Sequence, residues 1–561
     1  MSSTNSNTDW FAETHCVENQ PAPLENYNPF QQDPALREAL SREGAAWAEP
    51  ELLQFGRLTG TADVIGLGFR ANENKPELHT HDRHGHRVNE VRFHPAYHEL
   101  MRCSLEHGLH ASHWTKPGAG AQVARAAKFY LMAQVEAAHG CPVTMTSAVI
   151  PALRHQADLY AEYASKILSG EYDPRNVPIA EKSSITMGMA MTEKQGGSDV
   201  RSNSTRAHPI GESGPGQEYR LVGHKYFVSA PMCDAFLALA QSEGGLSCFF
   251  MPRWCPDGTL NAMQIQKLKN KMGNVANASS EVELRGAYAV MVGEEGRGVR
   301  TIIDMVAMTR FDCMIGSAGG MRQALAQAIH HCRQRAAFGQ LLIDQPLMQN
   351  VLADLALESE AALALTMRVA RALDEQEGSA HAKHLVRLGT MLGKYWICKR
   401  TPGHAYEAME CIGGSGVMED SIMPRLFRES PVNAIWEGSG NVQCLDLLRV
   451  LSKEPEVIQT YFSEVNRAAG KNAFFDTAVS ELKTQLADVD SLEYRCRTVL
   501  ETMAVVLQAA LLIRFSTPEV AGAFCSSRLA GSGAHLYGTL PVEVNCIAII
   551  DRAFPKDSPA G

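Results

Sequence analysis

The residues with the clearest chemical potential lie in a short segment that follows an apolar run. The run from Ile185 to Met191 carries no charge and predicts the end of a buried strand. Directly after it come Thr192, a pair of glycines and Ser198. A strand that ends in hydroxyls and glycines can bring bare backbone amides and side-chain donors against a flat polar ligand. Taken alone, the same pattern is also typical of a turn followed by a cap.

This segment resembles a signature of the acyl-CoA dehydrogenase family, T-E-x-x-x-G-S-D-V. The matching residues are Thr192, Glu193, Gly197, Ser198, Asp199 and Val200. In that family the segment lines the flavin ring of FAD, and residues 226–229 resemble the second flavin strand. The FAD contacts that the resemblance implies from these two strands are Met189, Ala190, Met191, Thr192, Gly197, Ser198, Phe227, Val228 and Ser229.

A second segment, residues 435–441, places a carboxylate between a tryptophan and two glycines. From the residues alone, Ser439 could cap a helix and leave Glu437 exposed near its start. The apolar face of that helix would be Val442, Leu445 and Leu448. The segment also resembles the family's I-x-E-G-(T/S) element, which implies that Glu437 is the catalytic base. The implied FAD contacts here are Ile435, Trp436, Gly438, Ser439, Gly440 and Asn441.

The chemistry implied by the resemblance is abstraction of the α-proton of an acyl thioester. That step needs a carboxylate in a desolvated slot, where its affinity for the proton is raised towards that of the polarised substrate. Trp436 would supply the apolar wall, and the flavin would accept the hydride from the β-carbon. Thr309 stands where some relatives carry an alternative glutamate, so no carboxylate at that position could replace Glu437.

A third segment, residues 332–345, resembles the family's R-x-x-F-G-x-x-L element. The matching residues are Arg335, Phe338, Gly339 and Leu342. The family's glutamine usually follows the leucine by four residues, whereas Gln345 follows it by three. A pyrophosphate is bound well by a fork-shaped cation, which suits Arg335. In the family these residues reach the FAD of a neighbouring subunit, so the resemblance implies Arg335 and Gln345 as FAD contacts and a homotetramer. Without it, Arg335 would be a surface arginine before a helix-ending glycine.

Departures from the family pattern point to one branch. Lys194, Gln195 and Gly196 stand where the family usually has Pro-Gly-Ala, which predicts a cation near the flavin edge. Together with T-R-F-D-C at residues 309–313 and the length beyond 450, this resembles the AidB-like branch. That branch binds flavin, is associated with the adaptive response to DNA alkylation, and is credited with DNA binding and at most weak acyl-CoA dehydrogenation.

Three functions remain open at this point. The first is a flavoprotein that binds double-stranded DNA and protects it from alkylating agents. The second is a working acyl-CoA dehydrogenase for a short or branched acyl chain, whose substrate is the acyl-CoA. The third is a flavin-dependent enzyme that destroys the alkylating agent itself.

Charge restricts where DNA could bind. The formal net charge is -10 and the pI is near 6.1, so a polyanion would need a local basic patch. Residues 451–561 contain ten Lys and Arg against thirteen Asp and Glu, a net charge of -3. The stretch from 368 to 400 is richer in cations. The candidate DNA contacts are Lys399, Arg400 and Arg449, and the alternative is that these charges solvate long helices.

Cysteine usage and the absence of targeting patterns suggest the compartment. The 14 cysteines include no C-x-x-C pair, which argues for free thiols in a reducing environment. The N-terminus shows no secretory signal, and the apolar run 504–513 is too short to cross a bilayer. These observations predict a cytoplasmic protein without membrane contact. The histidine-rich run 79–86 could chelate a metal, but a solvated loop is the favoured interpretation and no metal is predicted.

The elements that position these residues follow from length and periodicity. A chain of 561 residues predicts three or four domains. Residues 1–183 predict an arm of about 35 residues followed by helices, including a strong helix over 122–139. Residues 184–292 predict a small antiparallel β domain, in which 219–229 form two short strands around Gly223 and His224. Residues 293–450 predict long helices, one of them starting at Pro346, and 451–561 a C-terminal helical extension.

The predicted fold class is therefore mainly α with a central β domain. Helices, sheet, helices is also the order of the acyl-CoA dehydrogenase fold, which has an α-helical N-domain, an antiparallel β middle domain and an α-helical bundle. The C-terminal helical extension would be an addition to that fold.

Overall fold

The computed structural model describes residues 14–530 and 535–556, and its helices precede and follow a central sheet, which confirms the predicted order. The helices before the sheet are α1 Pro34–Arg42, α2 Glu49–Thr59, α3 Ala62–Glu73, α4 Pro95–Glu106, α5 Ser112–Thr115, α6 Ala121–Val135, α7 Gly140–Leu153 and α8 Ala157–Ile167. The helix predicted over 122–139 ends early, at Val135. The chain turns there because the Glu136 carboxylate accepts the amides of Ala138 and His139 at 2.9 and 2.8 Å.

A β-hairpin stands inside the region predicted to be mainly helical. It pairs β1 Glu77–His81 with β2 Arg87–Arg92. Its turn forms because the Asp82 carboxylate accepts the amides of His84 and His86 at 2.8 and 2.9 Å. Within the described residues there is no group of three or more His, Cys, Asp or Glu placed to hold a metal ion, and His86 instead pairs with Asp82.

The central sheet closes on itself. Its strands are β3 Met187–Ala190, β4 Arg206–Pro209, β5 Glu218–Ser229, β6 Ala235–Ser242, β7 Gly245–Pro252, β8 Met263–Leu268 and β9 Ser279–Val292. The pairing of strands runs from β6 through β4, β5, β9 and β7 back to β6. In addition, β3 pairs with β6, and β8 pairs with β9. The sheet is mostly antiparallel, as predicted, except that β3 and β4 run parallel to β6.

Strand β5 corrects the prediction of two short strands around Gly223 and His224, because it is one continuous strand. The glycine marks a close approach between two segments of the backbone and not a turn. A Cβ at Gly223 would lie 2.5 Å from Oγ1 of Thr205, so a larger residue would push the segment at Thr205 away.

A shift of register in β5 aims its last residues. The pairing of β5 with β9 slips between Lys225 and Val228. Such a bulge re-aims side chains. Phe227 and Ser229 consequently line the cavity described below, while Val228 is buried in the core between them.

Long helices follow the sheet, as predicted. They are α9 Gly298–Gln334, α10 Pro346–Glu375, α11 Ala380–Ile412, α12 Met423–Glu429, α13 Val432–Ile435 and α14 Gly440–Lys453, with a small hairpin of β10 Ala336–Ala337 and β11 Gln340–Leu341 before α10. Pro346 is the first residue of α10, where a missing amide costs nothing. Helix α9 packs against α6 and α7, which precede the sheet in the sequence, and against α10 and α11, which follow it.

The predicted helical extension is also confirmed. It consists of α15 Pro455–Val465, α16 Ala473–Ala487, α17 Leu492–Phe515, α18 Pro518–Arg528 and α19 Cys546–Ala553. In the described part of the chain, α17 is the one helix long and apolar enough to cross a bilayer, and 67% of its most apolar window is buried inside the protein. It packs against α10, α11 and α14. All the cysteines are free thiols, as expected. The division into four domains stays a prediction, and α14 crosses the boundary placed at 450.

Candidate active site

A cavity of about 720 Å³ lies where α6, α7 and α9 meet the sheet and the turn between α13 and α14. Its size is typical of a site for a cofactor or substrate. The predicted site residues that line it are Met189, Met191, Thr192, Gly197, Ser198, Phe227, Ser229, Ile435, Trp436, Glu437 and Gly438. Two segments that are more than two hundred residues apart in the chain therefore form walls of one cavity.

Glu437 lies on a strained turn that presents its carboxylate to the cavity. Its φ is 57°, in the left-handed region that non-glycine residues rarely adopt, and Gly438 follows with φ 102°. Side chains from three helices hold the turn. Arg310 Nε donates to the Glu437 carbonyl at 2.8 Å. Gln443 Nε2 and Lys394 Nζ donate to the Gly438 carbonyl at 3.0 and 3.3 Å.

Thr309 orients the Glu437 carboxylate. Its Oγ1 lies 2.7 Å from Oε2 of Glu437 and 3.0 Å from the carbonyl of Val306 one turn earlier in α9. Thr309 is buried, with 2% exposure, so the contact is shielded from bulk solvent. Position 309, at which the resemblance places an alternative glutamate in some relatives, is thus in direct contact with the carboxylate of Glu437.

The strand side of the cavity offers hydroxyl groups and flat apolar surface. Thr192, Ser198 and Ser229 supply hydroxyls, and Phe227 supplies an aromatic face. A Cβ at Gly197 would lie 2.8 Å from Oγ1 of Thr192, so the glycine of the signature is needed for the loop to fold back on the strand end.

A buried ion pair fixes the loop after β3. Glu193 Oε1 and Lys225 Nζ are 2.8 Å apart, and neither side chain is exposed. Glu193 also accepts the amides of Ser204 and Thr205 at 2.7 and 3.1 Å. Burial acts to raise the pKa of Glu193, but the charge of Lys225 and these hydrogen bonds outweigh it and lower the pKa to about 2. Lys194 next to it is exposed and does not line the cavity, contrary to the cation expected at the flavin edge.

Another part of the cavity is apolar and lies among α6, α7, α9 and the segment after α4. Its apolar lining consists of Leu109, Phe129, Met132, Ala133, Val143, Met145, Ile302 and Val306. The buried polar groups at its wall already have partners. Asp312 binds Arg125 and Thr144, each at 2.6 Å through Oδ2. His139 lies 2.7 Å from Glu136 and 2.9 Å from Ser104. These polar groups therefore keep their hydrogen-bond partners when an apolar ligand binds here.

Several predicted FAD contacts lie near the cavity but do not line it. Ala190 and Val228 alternate with lining residues along their strands and point into the core. Ser439, Gly440 and Asn441 open α14, where Ser439 occupies the N-cap without a capping bond. Asn441 Oδ1 accepts from Arg497 Nε at 2.8 Å. The helix does start there, but only part of its predicted apolar face is correct. Val442 lines the cavity and Leu448 packs against the core, whereas Leu445 is exposed. The fully buried residues include Gln443, Cys444, Leu447 and Val450.

Arg335 and Gln345 lie outside the cavity, between α9 and α10. Arg335 donates to the carbonyl of Asn19, and Gln345 Nε2 donates to the carbonyl of Ala337 at 3.1 Å. Phe338 forms the tip of the β10–β11 hairpin and is 99% exposed. Within one chain these residues do not reach the cavity, and their contact with the FAD of a neighbouring subunit stays a prediction.

The three candidate DNA contacts differ in whether they are free to bind phosphate. Arg400 corrects the prediction, because its Nη2 binds Glu358 at 3.0 Å and its guanidinium lies over the rings of Trp396 and Tyr537. That guanidinium holds the helices together and is not available to phosphate. Lys399 and Arg449 are exposed. Elsewhere in the basic stretch, ion pairs within the protein engage Arg368 with Glu464 and Arg387 with Asp446.

Sequence reasoning did not find the residues that hold the Glu437 turn. Arg310 and Gln443 carry no isolated signal. Lys394 does, because it is the single charge in the apolar run 391–398 and is 1% exposed. A lone charge in such a run indicates a buried partner.

The residues present fit FAD. A flavin ring needs donors and acceptors along its edge and apolar surface against its faces. The hydroxyls of Thr192, Ser198 and Ser229 and the rings of Phe227 and Trp436 supply both.

Comparison with known proteins agrees with this geometry. The matching family models are the adaptive response protein AidB N-terminal domain over residues 19–174, the acyl-CoA dehydrogenase middle domain over 188–287 and the acyl-CoA dehydrogenase C-terminal domain over 296–452. AidB of Escherichia coli (strain K12) is 46% identical over 523 residues, which cover 93% of this chain and 95% of that protein.

Solved structures give the same result. Caenorhabditis elegans ACDH-11 in complex with C11-CoA matches with a TM-score of 0.84 at 27% identity, over 92% of this chain and 94% of that one. The apo form of Bd2924 matches with a TM-score of 0.82 at 29% identity, over 90% and 100%. The chain belongs to the acyl-CoA dehydrogenase family, in the branch of AidB, and its cofactor is FAD.

Proposed function

We propose that the protein is an FAD-dependent acyl-CoA dehydrogenase in which Glu437 removes the α-proton of the substrate. The observation that carries this proposal is the placement of the Glu437 carboxylate, which Thr309 holds at 2.7 Å on the wall of the cavity that the flavin strands also line. When bound, the flavin supplies the acceptor for the electrons that leave the β-carbon. Arg310, Lys394 and Gln443 keep the carboxylate in place by binding the carbonyls of its turn.

We further propose a straight acyl chain of medium or greater length as the substrate, in preference to a short or branched chain. The apolar part of the cavity supports this proposal, because its wall runs from Val306 on α9 to Phe129 on α6 and Leu109. The structural relative ACDH-11 is known in complex with C11-CoA, an acyl-CoA of similar class. A short or branched chain would leave part of that wall without contacts.

The substrate prediction is tested by anaerobic bleaching of the bound flavin with a series of thioesters. Octanoyl-CoA and lauroyl-CoA should reduce the flavin with a second-order rate constant at least about tenfold above that of butyryl-CoA and isovaleryl-CoA, because each buried methylene adds binding energy. Equal rates for all four would contradict the chain-length proposal. No reduction by any of them, with FAD fully bound, would contradict the dehydrogenase.

A second proposed function is DNA binding with protection against alkylation, as the family resemblance implies. The exposed cations Lys399, Arg449 and Arg497 near α14 support it. Lys399 lies at the start of that helix, since its Nζ would be 3.3 Å from a Cβ at Gly440. The net charge of -3 of residues 451–561 favours this local group of cations over the extension as a whole as the DNA surface. Phosphate contacts of this kind would be independent of sequence and sensitive to salt.

The DNA prediction is tested with the variant Lys399→Ala/Arg449→Ala. Its affinity for duplex DNA should fall, and the slope of log K against log salt should decrease by about 2, because two phosphate contacts are lost. The matched control Lys471→Ala/Lys483→Ala removes the same charge from exposed positions of the extension and should leave affinity and slope unchanged. If both variants behave alike, or if the wild type does not bind at low salt, this DNA site is wrong.

Assembly and location complete the proposal. A homotetramer is supported by the exposed Phe338 hairpin, whose neighbours Arg335 and Gln345 would meet a second copy of the chain. A cytoplasmic location is supported by the free thiols.

A further inference from the structure

A lysine that the dehydrogenase reaction does not use lies at the cavity wall. Lys271 belongs to the loop between β8 and β9, and its Nζ donates to the carbonyl of Asn277 at 2.7 Å and to Oγ of Ser279 at 2.8 Å. Oγ of Ser279 is in turn 3.0 Å from Oγ of Ser229, its partner across β5 and β9. Lys271, Ser279 and Ser229 all line the cavity. They form a continuous line of hydrogen bonds that ends at a predicted flavin contact.

The lysine fixes one of these hydrogen bonds. A lysine ammonium group has only donors, so Oγ of Ser279 accepts from Lys271. Ser279 can then donate its own hydrogen to Ser229, since either hydroxyl can be the donor of that pair. In that arrangement the hydrogen of the Ser229 hydroxyl remains for the cavity. The neighbouring acceptor within the protein is the thiol of Cys141, and sulfur is a weak acceptor.

Three groups from neighbouring elements face Lys271. They are Cys141 on α7, Glu429 on α12 and Glu136 before α7. Burial raises the pKa of Cys141 to about 12, so this thiol carries no charge, and burial also raises the pKa of Glu429. Glu136 is bound to His139 at 2.7 Å. Because Lys271 lines the cavity, its positive charge also acts on whatever occupies the cavity.

We propose that Lys271 is a positioning residue for the flavin, which acts through Ser279 to make Ser229 a hydrogen-bond donor towards the ring. A donor backed by a cation stabilises a ligand that gains electron density, so the pair favours the reduced flavin over the oxidised one. The proposal rests on the FAD site of the proposed function but not on the acyl-CoA reaction. The two can therefore fail separately.

The test is the midpoint potential of the bound flavin in Lys271→Met, measured by photoreduction against a reference dye without any acyl-CoA. The equilibrium should shift towards the oxidised flavin by at least about tenfold, which is about 30 mV for a two-electron couple. Ser279→Ala keeps the charge but breaks the line of hydrogen bonds, and it should give a smaller shift in the same direction. Lys271→Arg should restore most of the potential.

A pH titration of the wild type provides an independent measurement. Burial lowers the pKa of Lys271 to about 8. The absorbance spectrum of the oxidised flavin should therefore change around pH 8, and the change should disappear in Lys271→Met. The wild-type titration still tests the proposal if the Lys271→Met variant loses its FAD.

The control is Lys267→Met, because Lys267 is exposed, pairs with Glu281 and does not line the cavity. It should keep the wild-type potential and titration. An unchanged potential in Lys271→Met with FAD fully bound, or a wild-type spectrum that is constant from pH 6 to pH 10, would overturn the proposal.

Discussion

Replacing Glu437 by glutamine is expected to abolish the reduction of bound flavin by acyl-CoA while FAD stays bound. The amide has the shape of the carboxylate and can keep the contact with Thr309, but it cannot accept the α-proton. Loss of a general base typically costs about 10²–10⁴-fold in rate. The measurement is stopped-flow bleaching under anaerobic conditions, with the FAD content of each preparation determined from its absorbance.

Two further variants make this prediction specific to the position of Glu437. Glu481→Gln changes an exposed carboxylate on α16 and should leave the rate unchanged. Thr309→Glu combined with Glu437→Gln should recover part of the lost rate, because residue 309 contacts the same carboxylate position at 2.7 Å. A Glu437→Gln variant that reduces its flavin at the wild-type rate would show that Glu437 is not the base.

Replacing Glu193 by alanine should lower the free energy of unfolding by about 3–5 kcal/mol, because it leaves the buried ammonium of Lys225 without its counterion. The remaining described partner of that ammonium is the carbonyl of Leu239 at 2.7 Å. Lys225→Met should cost less, because Glu193 keeps the amides of Ser204 and Thr205. Unfolding in urea, monitored through the release of FAD, gives the free energy of unfolding of both variants. Equal costs would contradict this asymmetry.

The Glu193 contribution should also depend on pH. Its pKa is about 2 in the folded protein, against about 4.3 in an unfolded chain. A carboxylate with a depressed folded pKa contributes its full stabilisation above the unfolded value and loses it as the pH falls towards the folded one. The difference in stability between wild type and Glu193→Ala should therefore shrink from pH 5 to pH 2. A constant difference across that window would contradict the assignment.

Local patterns correctly predicted the order of helices, sheet and helices, and the start of one long helix. Pro346 starts α10 because a proline is preorganised at a first helical position. The hairpin of β1 and β2 was missed for a physical reason. Its run of Glu, Thr and His lacks apolar alternation, and the strands are held from outside, where Asn89 Oδ1 accepts the amide of Ile265 at 3.1 Å.

The sequence by itself determined which chemical groups the protein brings to its site. The carboxylate of Glu437 and the hydroxyls of Thr192 and Ser229 belong to short segments whose residue types are recognisable wherever they fold. The family and its cofactor follow from those segments. The same segments do not show how the groups are held, because a local pattern contains no information about partners hundreds of residues away.

Only the tertiary structure decided how those groups are supported and which charges are available. Arg310, Lys394 and Gln443 come from three helices and meet only at the turn of Glu437. Arg400 is an ordinary basic residue in the sequence, yet Glu358 on α10 occupies it. Whether a charged or polar side chain faces solvent, a ligand or a buried partner depends on distances of about 3 Å between remote residues, and packing alone sets those distances.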